Sequence, residues 1–197
     1  MHNPQKKRTW STAVSGICLA LLCNTSFAND WTVDRLMGEL AQIKSVKASF
    51  VEKKYLAILD KPVESSGELF YNAPDRLEKR TLKPKPELMQ LDRDTLVLER
   101  GRNKYTIQMQ ESPELAALID SIRGTLAGDR KALERNYAIA LEGTRERWVL
   151  SLTPTNFKAS QAVKRIRLSG AKDEVIEIEV LQGDGDRSVT TVEKMKS

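Results

Sequence analysis

Glu174-Val175-Ile176-Glu177-Ile178-Glu179-Val180-Leu181 decides the fold class. Ile176, Ile178 and Val180 alternate with Glu177 and Glu179. Side chains of an extended chain repeat every second residue, so this stretch reads as a half-buried strand of an antiparallel sheet. The turn residues Gly183-Asp184-Gly185-Asp186 follow and fold the chain back into a last strand, 187–195. Upstream lies another strand, 162–168, and before it two more. Tyr137, Ile139 and Leu141 share one face, as do Trp148, Leu150 and Leu152. Near the start, Val46, Ala48 and Phe50 point one way and Lys47, Ser49 and Val51 the other. Short strands are also expected over 65–71, 76–82, 88–92, 95–99 and 104–109. Strands this short, separated by turn signals such as Asn72-Ala73-Pro74-Asp75, indicate an antiparallel meander.

Helical spacing interrupts this rhythm twice. Val33, Leu36, Met37, Leu40 and Ile43 form one apolar stripe behind the capping residue Thr32, with Asp34 in the first turn. Ser112-Pro113-Glu114 is a helix start, and Leu115, Leu118, Ile119, Ile122 and Leu126 follow at helical spacing. Asp129 can cap a short helix over 130–135 with Leu133 inward, while the segment through Phe157 reads as a loop. The expected fold is therefore α+β: one helix, a run of strands, an inserted helical pair, then more strands. Amphipathic helices can cover one face of such a sheet, over a solid core or over a cavity.

The N-terminus carries Lys6, Lys7 and Arg8, an apolar run from about Ala13 to Leu22, and Ser26-Phe27-Ala28. This is the pattern of a secretory signal peptide, expected to span 1–28 and to leave a single domain over 29–197. The rival reading, a lipoprotein acylated at Cys23, wants a small residue where Leu22 stands. Both cysteines, Cys18 and Cys23, and the sole histidine, His2, fall within this segment. It also holds three of the cations behind the formal net charge of +5 and no acid, so the domain itself is close to neutral. No second segment is apolar for long enough to span a membrane.

Enzyme chemistry is poorly supplied. Without His or Cys in the domain, the commonest general base and the thiolate nucleophile are absent. A zinc site would need carboxylates alone, and no phosphate-binding glycine loop occurs. Glu174, Glu177 and Glu179 read as a solvated strand face rather than a catalytic pair. Gly183–Asp186 lacks the ligand spacing of a calcium loop. No catalytic residue, metal or cofactor is expected. Lys79, Arg80, Lys83 and Lys85, near Pro84 and Pro86, read as an edge kept soluble by charge, or as a contact for anionic headgroups or an acidic partner. A nucleic-acid partner is not expected from this charge balance.

Val46-Lys47-Ala48-Ser49-Phe50 and Gly67-Glu68-Leu69-Phe70-Tyr71-Asn72-Ala73-Pro74, with Pro84 after them, resemble the LolA family of periplasmic lipoprotein carriers. Gly128-Asp129 and the segment Trp148 to Pro154 are similar to its LolA-related branch. The resemblance covers nearly all of 29–197. It implies an unclosed antiparallel β-barrel, a curved sheet under a helical lid, enclosing an apolar cavity for acyl chains. It further implies a periplasmic monomer that carries a lipoprotein or other lipid from an inner-membrane donor towards an outer-membrane acceptor. The alternatives are a lipid-sensing adaptor with the same fold that signals to a protein partner, and an enzyme acting on lipid-linked substrates. Two departures keep the cargo broad. Ala73 stands where the carriers have a lid-latching arginine, with Arg76 nearby as a possible gate, and the sequence ends at Ser197, where those carriers continue. The related branch is also associated with gene clusters for lipid-like products such as aryl polyenes.

On this reading Phe50, Leu69, Leu96, Leu98, Ile107, Trp148, Leu150, Ile176 and Ile178 line the cavity. Leu115, Leu118, Ile119 and Ile122 form the lid's inner face.

Overall fold

The computed structural model describes residues 31–195. The expected signal peptide, with His2, Cys18 and Cys23, lies outside them. Helix α1 spans Val33–Leu40, and the Thr32 hydroxyl caps it by accepting the Arg35 N–H at 3.3 Å. Six strands follow: β1 Ser45–Tyr55, β2 Val63–Asn72, β3 Arg76–Lys83, β4 Glu87–Asp92, β5 Thr95–Arg100 and β6 Asn103–Gln108. A short 3-10 turn, Met109–Glu111, leads into α2, Pro113–Leu126, and α3, Arg130–Glu134. The Asp129 carboxylate caps α3 by accepting the Ala132 N–H at 2.9 Å. Strands β7 Tyr137–Thr144 and β8 Arg147–Pro154, helix α4 Phe157–Ala162, and strands β9 Val163–Ala171, β10 Glu174–Gln182 and β11 Arg187–Lys194 complete the chain.

All eleven strands form one antiparallel sheet in the order β6-β5-β4-β3-β2-β1-β11-β10-β9-β8-β7. The first and last strands meet in the middle, with Phe50 opposite Val192 and Glu52 opposite Thr190. The edges β6 and β7 flank the helical insertion and do not pair with each other, so the barrel is unclosed. The structure corrects the reading of β3 as an edge. It lies between β2 and β4, and Pro84 and Pro86, which suit a strand end as well as an edge, stand just past its end.

Two cross-strand glycines allow aromatic rings to lie flat on the concave face. Gly170 sits opposite Trp148, and a Cβ there would come within 2.2 Å of the indole. Gly67 sits opposite Phe50, and a Cβ there would meet the Arg80 carbonyl and the Phe50 ring. Glycine in a strand marks this kind of close approach.

The helices cover the concave face unevenly. Leu36, Met37 and Leu40 of α1 and Leu133 of α3 pack with Trp148, Leu150, Leu152, Ile166 and Leu168 into a solid core over one flank. Ile119 of α2 packs with Leu91, Leu96 and Met109 over the other. Between these two packed flanks the side chains fall short of filling the space between α2 and the concave side of the middle strands.

Candidate binding cavity

The shortfall produces a cavity of about 1080 Å³. Small-molecule pockets are ordinarily about 300–1,000 Å³, so this hollow is large for the fold's size. Its wall is mainly aliphatic. Strands β1 and β2 supply Val46, Ala48 and Leu69, β10 supplies Ile176, Ile178 and Val180, and β11 supplies Val192. The roof is α2, with Leu115, Leu118, Ile119, Ile122 and Leu126.

The structure brings together Leu69, Leu96, Ile176 and Ile178 of the anticipated sheet residues, and all four of the anticipated roof residues. Ile176, on the strand that reads most plainly as half-buried, is 45% exposed because it faces this hollow rather than a packed interior. Other expected residues lie elsewhere. Trp148 and Leu150 share the inward parity but are fully enclosed at 0% exposure in the solid flank, where the Trp148 indole N–H donates to the Lys172 carbonyl at 2.8 Å. Leu98 and Ile107 pack into the opposite flank. Phe50 is on the inward face at 2% exposure, its ring held under the Lys79 ammonium 4.8 Å from the centroid. Arg76 does not line the cavity. It faces Asp92 at 3.9 Å, both side chains exposed.

The lid is fastened by a residue that periodicity does not reveal. Arg123, on α2, donates to the Arg93 carbonyl at 2.9 Å and approaches Asp94 at 3.8 Å, tying the roof to the β4–β5 turn. On the other side the buried Tyr137 hydroxyl donates to the Ala117 carbonyl at 2.8 Å. Burial pushes the Tyr137 phenol up to about 12, the nearby Asp120 adding to this against a hydrogen bond with Ser121, so it stays a donor across the working range of pH. Within α2 the buried hydroxyls of Ser121 and Thr125 are satisfied by the carbonyls of Leu118 and Ser121.

The cavity wall also carries charge. Glu52, on β1, is 9% exposed in its side chain. Its Oε2 accepts from Lys79 Nζ at 2.8 Å and from the Ser65 hydroxyl at 3.2 Å, and lies 3.8 Å from Lys54 Nζ. Burial pushes the Glu52 carboxyl up. The charge and hydrogen bond of Lys79, with Lys54 and Ser65, outweigh burial and hold it below the ordinary value. Asp173, Glu174, Glu193 and Lys194 border the cavity elsewhere, Lys194 reaching Glu174 at 3.0 Å. Among the described residues no three His, Cys, Asp or Glu side chains converge as a metal site, and no helix is long and apolar enough to cross a membrane.

No curated protein matches the chain. Among solved structures, similarity extends to a LolA-superfamily protein of Nitrosomonas europaea, at 10% identity and a TM-score of 0.46 over 85% of this chain and 94% of that one. The MucA/MucB complex of Pseudomonas aeruginosa is matched at 15% identity and a TM-score of 0.45, over 84% of this chain and 58% of that one. The lipoprotein LppX of Mycobacterium tuberculosis is matched at 11% identity and 0.38, over 80% and 92%. Residues 25–194 match the family described as outer membrane lipoprotein carrier protein LolA-like, and the chain belongs to that family.

Proposed function

We propose that this protein is a periplasmic carrier that shelters the acyl chains of a lipoprotein or other lipid in its cavity and delivers them towards the outer membrane. The observation that carries the reading is the apolar hollow of about 1080 Å³ where a packed interior would otherwise stand. Each methylene taken out of water is worth ~0.8 kcal/mol, so a long acyl chain cannot cross an aqueous compartment unaided at a useful concentration. A half-open hollow under a tethered roof holds such a chain without sealing it in. Secretion through a cleaved signal peptide over 1–28 would bring the domain to that compartment.

The test is uptake and release. The purified domain is loaded with a fluorescent acyl probe and mixed with acceptor vesicles. A carrier takes up the probe and yields it to the vesicles at a rate set by protein concentration. No uptake would overturn the reading. Uptake without transfer, together with a ligand-dependent complex with a protein partner, would establish the adaptor in its place.

A further inference from the structure

A buried ion pair contributes little to stability, because taking two charges out of water offsets their attraction. The Glu52–Lys79 pair stands on the wall of an apolar cavity, where hydrophobic residues would serve packing as well. Its donors converge on a single carboxylate oxygen: Lys79 at 2.8 Å, Ser65 at 3.2 Å and Lys54 at 3.8 Å all address Glu52 Oε2. An ammonium has three donors, and one of those on Lys79 is engaged here.

The charge on the cavity wall is also polarised. The cluster of Glu52, Lys54 and Lys79 carries one excess positive charge, the neighbouring Glu78 being paired with Arg80, while the group of Asp173, Glu174, Glu193 and Lys194 is net acidic. Register places Lys79 beside Leu69 and Ala48, the row that ends at Lys194, and its side chain reaches along the sheet to Glu52. Glu52 pairs with Thr190, four residues of strand or about 13 Å from that row. This is close to the ~15 Å that acyl chains cover in one bilayer leaflet, and only the Glu52 end carries excess positive charge.

We infer that Lys79, Lys54 and Ser65 form a headgroup site for the anionic oxygens of an amphiphile, a carboxylate or a phosphate, whose tail lies along the aliphatic wall beneath α2. In the empty protein Glu52 holds the place of that anion. When cargo binds, its headgroup shares or takes over the Lys79 and Ser65 donors, and the competing Glu52 carboxylate keeps the hold weak enough for release. The inference rests on the cavity being an acyl-chain site.

The experiment measures displacement of a fluorescent acyl probe by palmitate, by a lysophosphatidate of the same chain length, and by methyl palmitate, which lacks the charge. Lys79→Met is expected to weaken the anionic competitors about tenfold, the worth of one hydrogen bond to a charged group, and to leave methyl palmitate nearly unchanged. Glu52→Gln is expected to do the opposite and tighten the anions. The double variant Glu52→Gln/Lys79→Met leaves no buried charge unpaired, Lys54 being half-exposed, so it folds even if Lys79→Met does not, and it is expected to lose most of the preference for the anionic competitors. Loss confined to palmitate or to lysophosphatidate assigns the headgroup as carboxylate or phosphate. Equal effects on charged and uncharged competitors, or none on any, would overturn the headgroup site and leave the carrier intact. Failure of the unaltered protein to bind any probe would instead overturn the carrier reading itself.

Discussion

Glu52 is a buried carboxylate whose burial is outweighed by the ammonium groups of Lys79 and Lys54. Its folded pKa lies below the ordinary value of ~4.3. A depressed carboxylate stabilises the fold fully above its unfolded pKa and loses that contribution as pH falls through the folded pKa. The stability gap between the natural domain and Glu52→Gln/Lys79→Met is therefore expected to be constant near neutrality and to change only below about pH 4.3, measured as Tm against pH. Gly170 offers a steric test. A Cβ there would lie 2.2 Å from both the Glu174 carbonyl and the Trp148 ring. Gly170→Ala is expected to cost about 1–3 kcal/mol in chemical denaturation, as overpacking does. Neither Glu52 nor Gly170 stands out in the sequence, because both roles depend on partners from other strands.

At the scale of elements, the two parts of the concave face are expected to respond differently to the same change. Leu150 is enclosed in the flank covered by α1 and α3, so Leu150→Ala leaves a void and is expected to cost about 2–5 kcal/mol. Ile178 borders space that already exists, so Ile178→Ala loses mainly its own transfer free energy, under about 2 kcal/mol. Equal costs in denaturation would deny that one part is packed and the other hollow. The roof has its own test. Arg123→Ala removes the tether from α2 to the β4–β5 turn and is expected to speed both uptake and release of an acyl probe several-fold, as loss of ~1 kcal/mol would. Unchanged exchange would show that α2 does not gate the cavity. Periodicity locates most strands and the three helices with an apolar stripe or a capping acid. It passes over α4, which is six residues long and lacks a stripe, although Asn156 caps it by accepting the Ala159 N–H at 2.7 Å. That cap was the available signal.

For the molecule as a whole, alternation tells which side of each strand faces inward but not what covers it. Trp148, Leu150 and Ile178 share the concave side through the ladder, and Ile176, at a bulge between Val175 and Glu177, borders the cavity. Two of the four are sealed in core and two face open volume, because α1 and α3 pack down on one flank while α2 leaves space beneath it. Strand order is equally hidden in a single sequence. The pairing of β1 with β11 puts the first strand beside the last, and the pairing of β3 with β2 and β4 makes it an interior strand with Lys79 on the cavity wall. The aliphatic character of the interior is legible from the residues, while the hollow depends on how the helices seat over the sheet.

The central claim is that this hollow holds an acyl chain, and native mass spectrometry of the protein purified from the cells that make it tests it most directly. The account expects a species heavier than the polypeptide by one lipid, reduced to the bare mass by organic extraction and restored by adding a long-chain amphiphile. A bare mass at every stage, unchanged by added amphiphile, would contradict it.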